Sequence, residues 1–198
     1  MNTTELSAGA NTPERILDIA EGLVQRRGYN GFSYADIARE MSIAKASLHY
    51  HYAGKAELGE ALIERYTVRF GEALEAIDAS LEEAGAKLAA YADLYSDVLR
   101  GDRMCLCGML AAEYETLPDP MSDSVRRFFD LNVAWLARVL ADGASAGTLS
   151  LEASPVEAAQ GLLGALQGAM LVARPYRDPQ VFQAVAAQAL GGIAVAST

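Results

Sequence analysis

FSYADIAREMSIAKASLHYHYAGKAEL, residues 32–58, reads as two short helices joined by a tight corner, with a third helix beginning just beyond. Phe32 is apolar, Ser33 is a capping residue and Asp36 follows three positions later. This approximates a capping box, with Phe32 and Ile37 placed as a hydrophobic staple. The first helix therefore starts near Tyr34 and carries Ile37, Ala38 and Met41 on one face. Ser42, Ile43 and Ala44 make a polar corner holding one apolar plug, and a new helical run covers 45–52. Two helices in about twenty residues is helix-turn-helix geometry.

The second helix carries the chemistry. Lys45, Ser47, His49, Tyr50 and His51 give it a cation, a hydroxyl, two imidazoles and a phenol within two turns, while Leu48 and Tyr52, spaced i and i+4, anchor its inner side. Such a helix suits a DNA major groove, where hydrogen-bonding groups meet base edges and phosphates together. Lys55 stands near the start of the next helix, and its ammonium, with the free N–H groups there, is expected to clamp a phosphate. The bland alternative is an ordinary helical corner with surface cations. Its place near the N-terminus, the lysine after the corner and an all-helical remainder argue against that.

On these residues the stretch resembles the DNA-binding motif of the tetracycline-repressor (TetR) family, in detail over residues 12–66 and loosely along the whole chain. The family pattern runs glycine, valine, serine, lysine, glycine, threonine, leucine, tyrosine, any residue, histidine, phenylalanine, then a lysine three places on. Here those positions are Ser42, Ile43, Ala44, Lys45, Ala46, Ser47, Leu48, His49, Tyr50, His51, Tyr52 and Lys55. The resemblance implies that Lys45, Ala46 and Tyr50 lie nearest the bases and that Ser47, His49 and Lys55 bind phosphates; Ser33, Tyr34 and His51 are further candidate DNA contacts. Ala44 replaces a capping hydroxyl, at a cost of about 0.5–2 kcal/mol. Ala46 in place of glycine returns about 0.8–1 kcal/mol of helix propensity. His49 stands where tyrosine is usual, so a phosphate contact there is expected to depend on pH.

The charge balance of −10 looks wrong for a DNA binder until the chain is divided at Lys55. Residues 1–55 hold six Lys/Arg and six Asp/Glu, whereas residues 56–198 hold ten and twenty. Binding then rests on a local face of Lys45, Lys55 and Arg39, while the acidic body repels DNA and limits non-specific association. With 198 residues, 52% of them hydrophobic, the chain can fill a core. No basic, apolar signal segment is visible, and the apolar run 161–173 is interrupted by Gln167, which suggests a cytoplasmic protein. Cys105 and Cys107 support no disulfide framework.

Outward from the motif every pattern is helical, about nine helices in all, giving an all-α fold with a DNA-binding unit at 1–55 and an effector-binding, dimerising domain at 56–198. Residues 1–11 are polar and expected to fray. Thr12 and Pro13 open a helix that Gly28 ends. A long helix runs from Lys55 through Leu58, Leu62, Tyr66, Phe70, Leu74 and Ile77, and Gly85 marks a break. Further helices follow up to Gly101, over 105–116 and over 120–146, with Gly147 as C-cap. Ser154, Pro155 and Glu157 form a capping box for the next, and Asp178 with Pro179 starts the last.

The final two helices are expected to form a homodimer interface at Gly161, Ala165, Gly168, Val181, Phe182 and Val185. Small residues there permit close approach, and the resemblance implies a four-helix bundle between two copies. Tyr91, Tyr95, Met104, Cys105, Cys107, Met109, Tyr114, Phe128 and Trp135 are candidates to line an effector pocket, although aromatics at helical spacing are more often core. Cys105 and Cys107 could instead sense oxidants or electrophiles, but residues two apart on a helix point in nearly opposite directions. No phosphate-binding glycine loop or nucleophile elbow is present, and His49 and His51 have no evident third metal ligand, so neither an enzyme nor a cofactor is expected. The reading is a dimeric TetR-like regulator, a repressor released from a palindromic double-stranded operator by a small effector. A cysteine-switched regulator and a helical carrier that never meets DNA are the alternatives.

Overall fold

The structure, a computed structural model, describes residues 12–193. The expected fraying of 1–11 lies outside them. Nine α-helices are present among the described residues: α1 Thr12–Arg27, α2 Tyr34–Met41, α3 Lys45–His51, α4 Lys55–Ser80, α5 Ala84–Arg100, α6 Leu106–Ala111, α7 Asp119–Ser145, α8 Pro155–Tyr176 and α9 Pro179–Gly191. A short 3-10 turn, Tyr114–Thr116, follows α6.

The boundaries follow local chemistry. Gly28 ends α1 at φ +81°, a left-handed conformation that costs an L side chain about 1–2 kcal/mol. Ser154 and Glu157 cap α8 reciprocally, the serine hydroxyl accepting the Glu157 N–H at 3.3 Å and the carboxylate accepting the Ser154 N–H at 3.0 Å. α4 buries Leu58, Leu62, Tyr66, Phe70, Leu74 and Ile77 along one stripe. At 26 residues it extends about 39 Å, far enough to belong to both ends of the molecule. Arg65 and Arg69 tie it to α1: Arg65 reaches Glu14, Asp18 and Glu21, and Arg69 adds a second cation to the buried Glu21.

Two expected boundaries are corrected. The break after α4 falls at residues 81–83, where the chain is extended, and Gly85 lies inside the first turn of α5 with open space around it. The helix expected over 105–116 stops at Ala111, because Glu113 leaves the helical path to bond the turn after α1. α8 spans the apolar run 161–173 and extends beyond it at both ends, starting at the expected capping box. Its 22 residues satisfy length and composition for crossing a membrane; 39% of its most apolar window is buried, and it packs against α7 and α9.

Candidate nucleic-acid interface

α3 is positioned from below and from its exit. Leu48, 1% exposed, plugs it into the core formed with α1 and α2. At the corner before it, Ser42 takes φ +57° and its N–H donates to the Arg39 carbonyl, while Ile43 N–H reaches Ala38 O at 3.0 Å. Ala44 is the N-cap of α3 and offers no side-chain acceptor, as the sequence implied. After α3, Ala53 N–H donates to the Glu57 carboxylate at 2.8 Å. His49 Nδ1 lies 3.1 Å from the Ala53 carbonyl. A carbonyl only accepts, so this bond needs the proton on Nδ1, and Nε2 then meets a phosphate as donor only in the imidazolium form.

Lys45, Ala46, Ser47, His49 and Tyr50 are all exposed, Tyr50 at 85%. His51 is half-buried, its ring edge-on to Tyr50 at 5.1 Å. Neither the Lys45 ammonium nor the Tyr50 hydroxyl has a hydrogen-bond partner among the described residues. The residues at the head of α2 are more committed. Ser33 donates both its N–H (2.8 Å) and its hydroxyl (2.7 Å) to Asp36, which holds that carboxyl below the usual range. Tyr34 donates to the Tyr52 carbonyl at 3.1 Å, and burial, helped by Glu57, pushes its phenol up to about 12. Arg39 pairs with Asp36 at 3.1 Å on the surface, where such pairs contribute little.

Lys55 departs from the expected phosphate clamp. Its ammonium donates inward to the carbonyls of Tyr29 (2.5 Å) and Phe32 (2.6 Å) and sits 4.4 and 4.3 Å above their rings. Partial desolvation lowers its pKa, opposed by Glu113 and Asp36. The cation that was expected to face DNA instead fixes the turn between α1 and α2.

Glu113 was not anticipated. Its carboxylate accepts the N–H of Tyr29 at 2.5 Å and of Asn30 at 3.3 Å, and the Asn30 side chain donates to the Thr116 hydroxyl at 2.8 Å. A Cβ on Gly28 would lie 2.8 Å from that carboxylate. Met104 N–H also donates to Gln25 O at 3.1 Å, and the Arg174 guanidinium to Arg26 O. Besides Lys55, the turn that aims α2 is therefore held by Glu113 and Thr116, more than eighty positions away, with no local pattern to announce them.

The residues expected around an effector pocket lie mostly in packed core. Tyr91 and Tyr95 hydroxyls are 3.0 Å apart, Tyr91 donates to Asn132 Oδ1 at 2.7 Å, and Asn132 Nδ2 donates to Phe128 O at 2.7 Å. Trp135 stacks on Tyr91 at 5.5 Å and donates to Asp78 at 3.0 Å. Met104, Cys105, Cys107 and Phe128 are buried, Met109 is half-buried, and Tyr114 is on the surface accepting from Arg126 at 2.9 Å. Burial pushes both thiols up, so neither presents the thiolate that redox chemistry requires. On α8 and α9, Gly161 and Val185 are exposed while Ala165, Gly168 and Val181 are half-buried. Phe182 is corrected: at 1% exposure it packs within its own chain and offers no surface to a partner.

Two family models match this chain. Residues 16–62 match bacterial regulatory proteins of the tetR family, and residues 84–189 match the tetracyclin repressor-like C-terminal domain. The chain is 30% identical to a TetR-family transcriptional regulator from Agrobacterium tumefaciens, covering 94% of this chain and 100% of that one with a TM-score of 0.91. Identity to a TetR transcriptional regulator from Legionella pneumophila is 32%, over 92% and 97% of the two chains, at a TM-score of 0.85. Among curated proteins, the HTH-type transcriptional repressor DhaR of Mycobacterium sp. (strain GP1) is 26% identical over 82% of this chain and 83% of its own.

Proposed function

This chain belongs to the TetR family of DNA-binding transcriptional regulators, and from that premise we propose how it reads its operator and how it is released. Residues 1–55 are the reader and 56–198 the body that binds an effector and a second copy. α3 lies in the major groove, with Lys45, Ala46 and Tyr50 toward the bases and Ser47 and His49 on phosphates. The observation that carries this is the face of α3: an 85% exposed phenol beside an unpaired ammonium, on a helix fixed by a buried leucine. Ser33, Tyr34 and Lys55 act from behind, holding the helix ends and the 29–32 turn.

Dimerisation runs through α8 and α9. A Cβ placed on Gly161, Gly164 or Gly168 would meet no atom of the described residues beyond its own helical backbone. Leu171, Val172, Tyr176 and Val185 are exposed on the same two helices. A second copy covers these groups and sets two readers at the spacing of two half-sites. The resemblance to a named repressor favours repression, and operator DNA places the work in the cytoplasm. A small effector that prefers the body's non-binding state lowers operator affinity by the size of that preference.

The test is capture of fragments of the encoding genome by purified protein at two salt concentrations. A palindromic fragment is expected to be retained selectively. Lys45→Ala and Tyr50→Ala should each erode selectivity among the fragments without changing the helical circular dichroism. Uniform weak retention of all fragments, or none, sinks the reading.

A further inference from the structure

Beside the reader, where the end of α5 and the loop before α6 meet the end of α8 and the start of α9, lies a cleft of about 310 Å³. Four arginines line it: Arg100, Arg103, Arg174 and Arg177. The body beyond Lys55 has ten Lys/Arg against twenty Asp/Glu, so four of its ten cations gather around one opening. Two carboxylates, Asp102 and Asp178, share the lining, leaving it net cationic. Asp178 has an oxygen committed to the Gln180 N–H at 2.9 Å. Arg100 is paired with Asp97. The side chains of Arg103 and Arg177 have no hydrogen-bond or ion-pair partner among the described residues. The floor is apolar, with Met104 and Ala173 buried beneath the charged rim.

Both walls of this cleft touch the reader. Met104 N–H donates to Gln25 O from one side, and the Arg174 guanidinium donates to Arg26 O from the other. These are carbonyls of the last turn of α1, which a helix leaves without intrahelical partners. The Arg174 guanidinium thus faces a choice between a single bond to a neutral carbonyl and any anion entering the cleft, and a carboxylate offers it opposite charge and a bidentate pair of hydrogen bonds.

We propose that this cleft is the effector site, that it takes a small organic carboxylate with a short apolar body, and that the ligand releases the reader by drawing Arg174 from the Arg26 carbonyl. This rests on the reading of the chain as an effector-released repressor and names the effector's chemistry and the residues it meets. Arg103 and Arg177 supply charge, Met104 and Ala173 accept the apolar body, and Arg174 is the positioning residue that reports occupancy to α1. A ligand that pairs with Arg174 favours the unlatched state by the bond it gains there.

The test uses the full chain and hexanoate, with hexanol and hexylamine as neutral and cationic counterparts of the same length. Calorimetry should show hexanoate binding that weakens about tenfold or more in Arg103→Gln/Arg177→Gln, a pair of side chains the fold does not use, with no binding of hexanol or hexylamine. Hexanoate should also release the operator fragment from the unmodified protein, whereas Arg174→Gln, which lacks the latch, should hold that fragment weakly with or without hexanoate. Absence of hexanoate binding, equal binding of hexanol, or undiminished binding in the double variant overturns the proposal. Binding without operator release overturns its switching step. Failure to bind any operator would instead overturn the repressor reading, and the calorimetric arm would still decide whether the cleft takes a carboxylate.

Discussion

Tyr50 and Tyr91 each sit on an amphipathic helix beside polar neighbours, yet one is 85% exposed and the other 0%. α3 is a seven-residue helix with Leu48 its single buried residue, so most of its circumference is left to solvent. α5 is enclosed by α4, α7, α8 and α9, and the hydroxyls of Tyr91 and Tyr95 find each other and Asn132 instead of water. Polar tips on aromatic rings therefore do opposite things in the two regions. In the reader the Tyr50 phenol is left to solvent, and in the body those of Tyr91 and Tyr95 complete a buried network whose members satisfy one another.

The largest test of that difference is Phe128→Ala. Phe128 is wholly buried, with the rings of Phe70 and Tyr66 at 5.2 and 5.5 Å. Its loss should cost about 3–5 kcal/mol in urea unfolding, whereas Tyr50→Ala should stay within about 0.5 kcal/mol of the parent. Equal effects would break the comparison, since they would mean that α3 bears on the fold as heavily as the body's centre does.

Alkaline pH sharpens the contrast by a smaller amount. Burial raises the phenols of Tyr66, Tyr91 and Tyr95 above their ordinary range. Above about pH 10 an unfolded tyrosine loses its proton while these keep theirs. The folded state then binds more protons than the unfolded one, and stability falls as pH rises. Below pH 10 the contribution is fully present. In the reader Tyr34, raised to about 12, acts in the same sense, but it is half-exposed and its share is reduced by solvent screening. Lys55, lowered by desolvation, acts in the opposite sense, because between its folded and unfolded pKa the unfolded state holds more protons. Trp135 fluorescence should therefore report body unfolding at lower urea as pH rises through 10 to 11. Amide exchange of α2 and α3 should change less. Parallel loss in both would remove the distinction.

These differences explain what was legible in the chain. Helix starts were readable wherever a cap or proline acts locally, as at Ser33, Ser154 and Pro179, and so was the outward face of α3, because one leucine fixes which side is down. The end of α6 was not, since it is set by Glu113 bonding to a turn more than eighty residues earlier. Lys55 fits a phosphate contact and an internal clamp equally well by sequence, and only the carbonyls of Tyr29 and Phe32 beneath it decide. The body's aromatics have the spacing of a pocket and of a core alike, and Phe182 has the spacing of an interface residue while packing inward. In each case the missing information is a tertiary partner.

The smallest expected effect lies at the corner of the reader, where local geometry alone should decide the outcome. Ser42 holds φ +57°, which costs an L residue about 1–2 kcal/mol. Glycine removes that cost but gives up roughly 0.5–1 kcal/mol through its greater freedom in the unfolded chain. The bond at this corner from the Ser42 N–H to the Arg39 carbonyl is backbone and survives the change, and the serine hydroxyl has no partner among the described residues. Ser42→Gly should therefore stabilise the reader by about 0.5–1 kcal/mol, seen as slower amide exchange in α2 and α3, with Trp135 fluorescence in urea unchanged. Destabilisation would mean that the corner depends on the hydroxyl, and that the reader, like the body, has polar groups committed to its own fold.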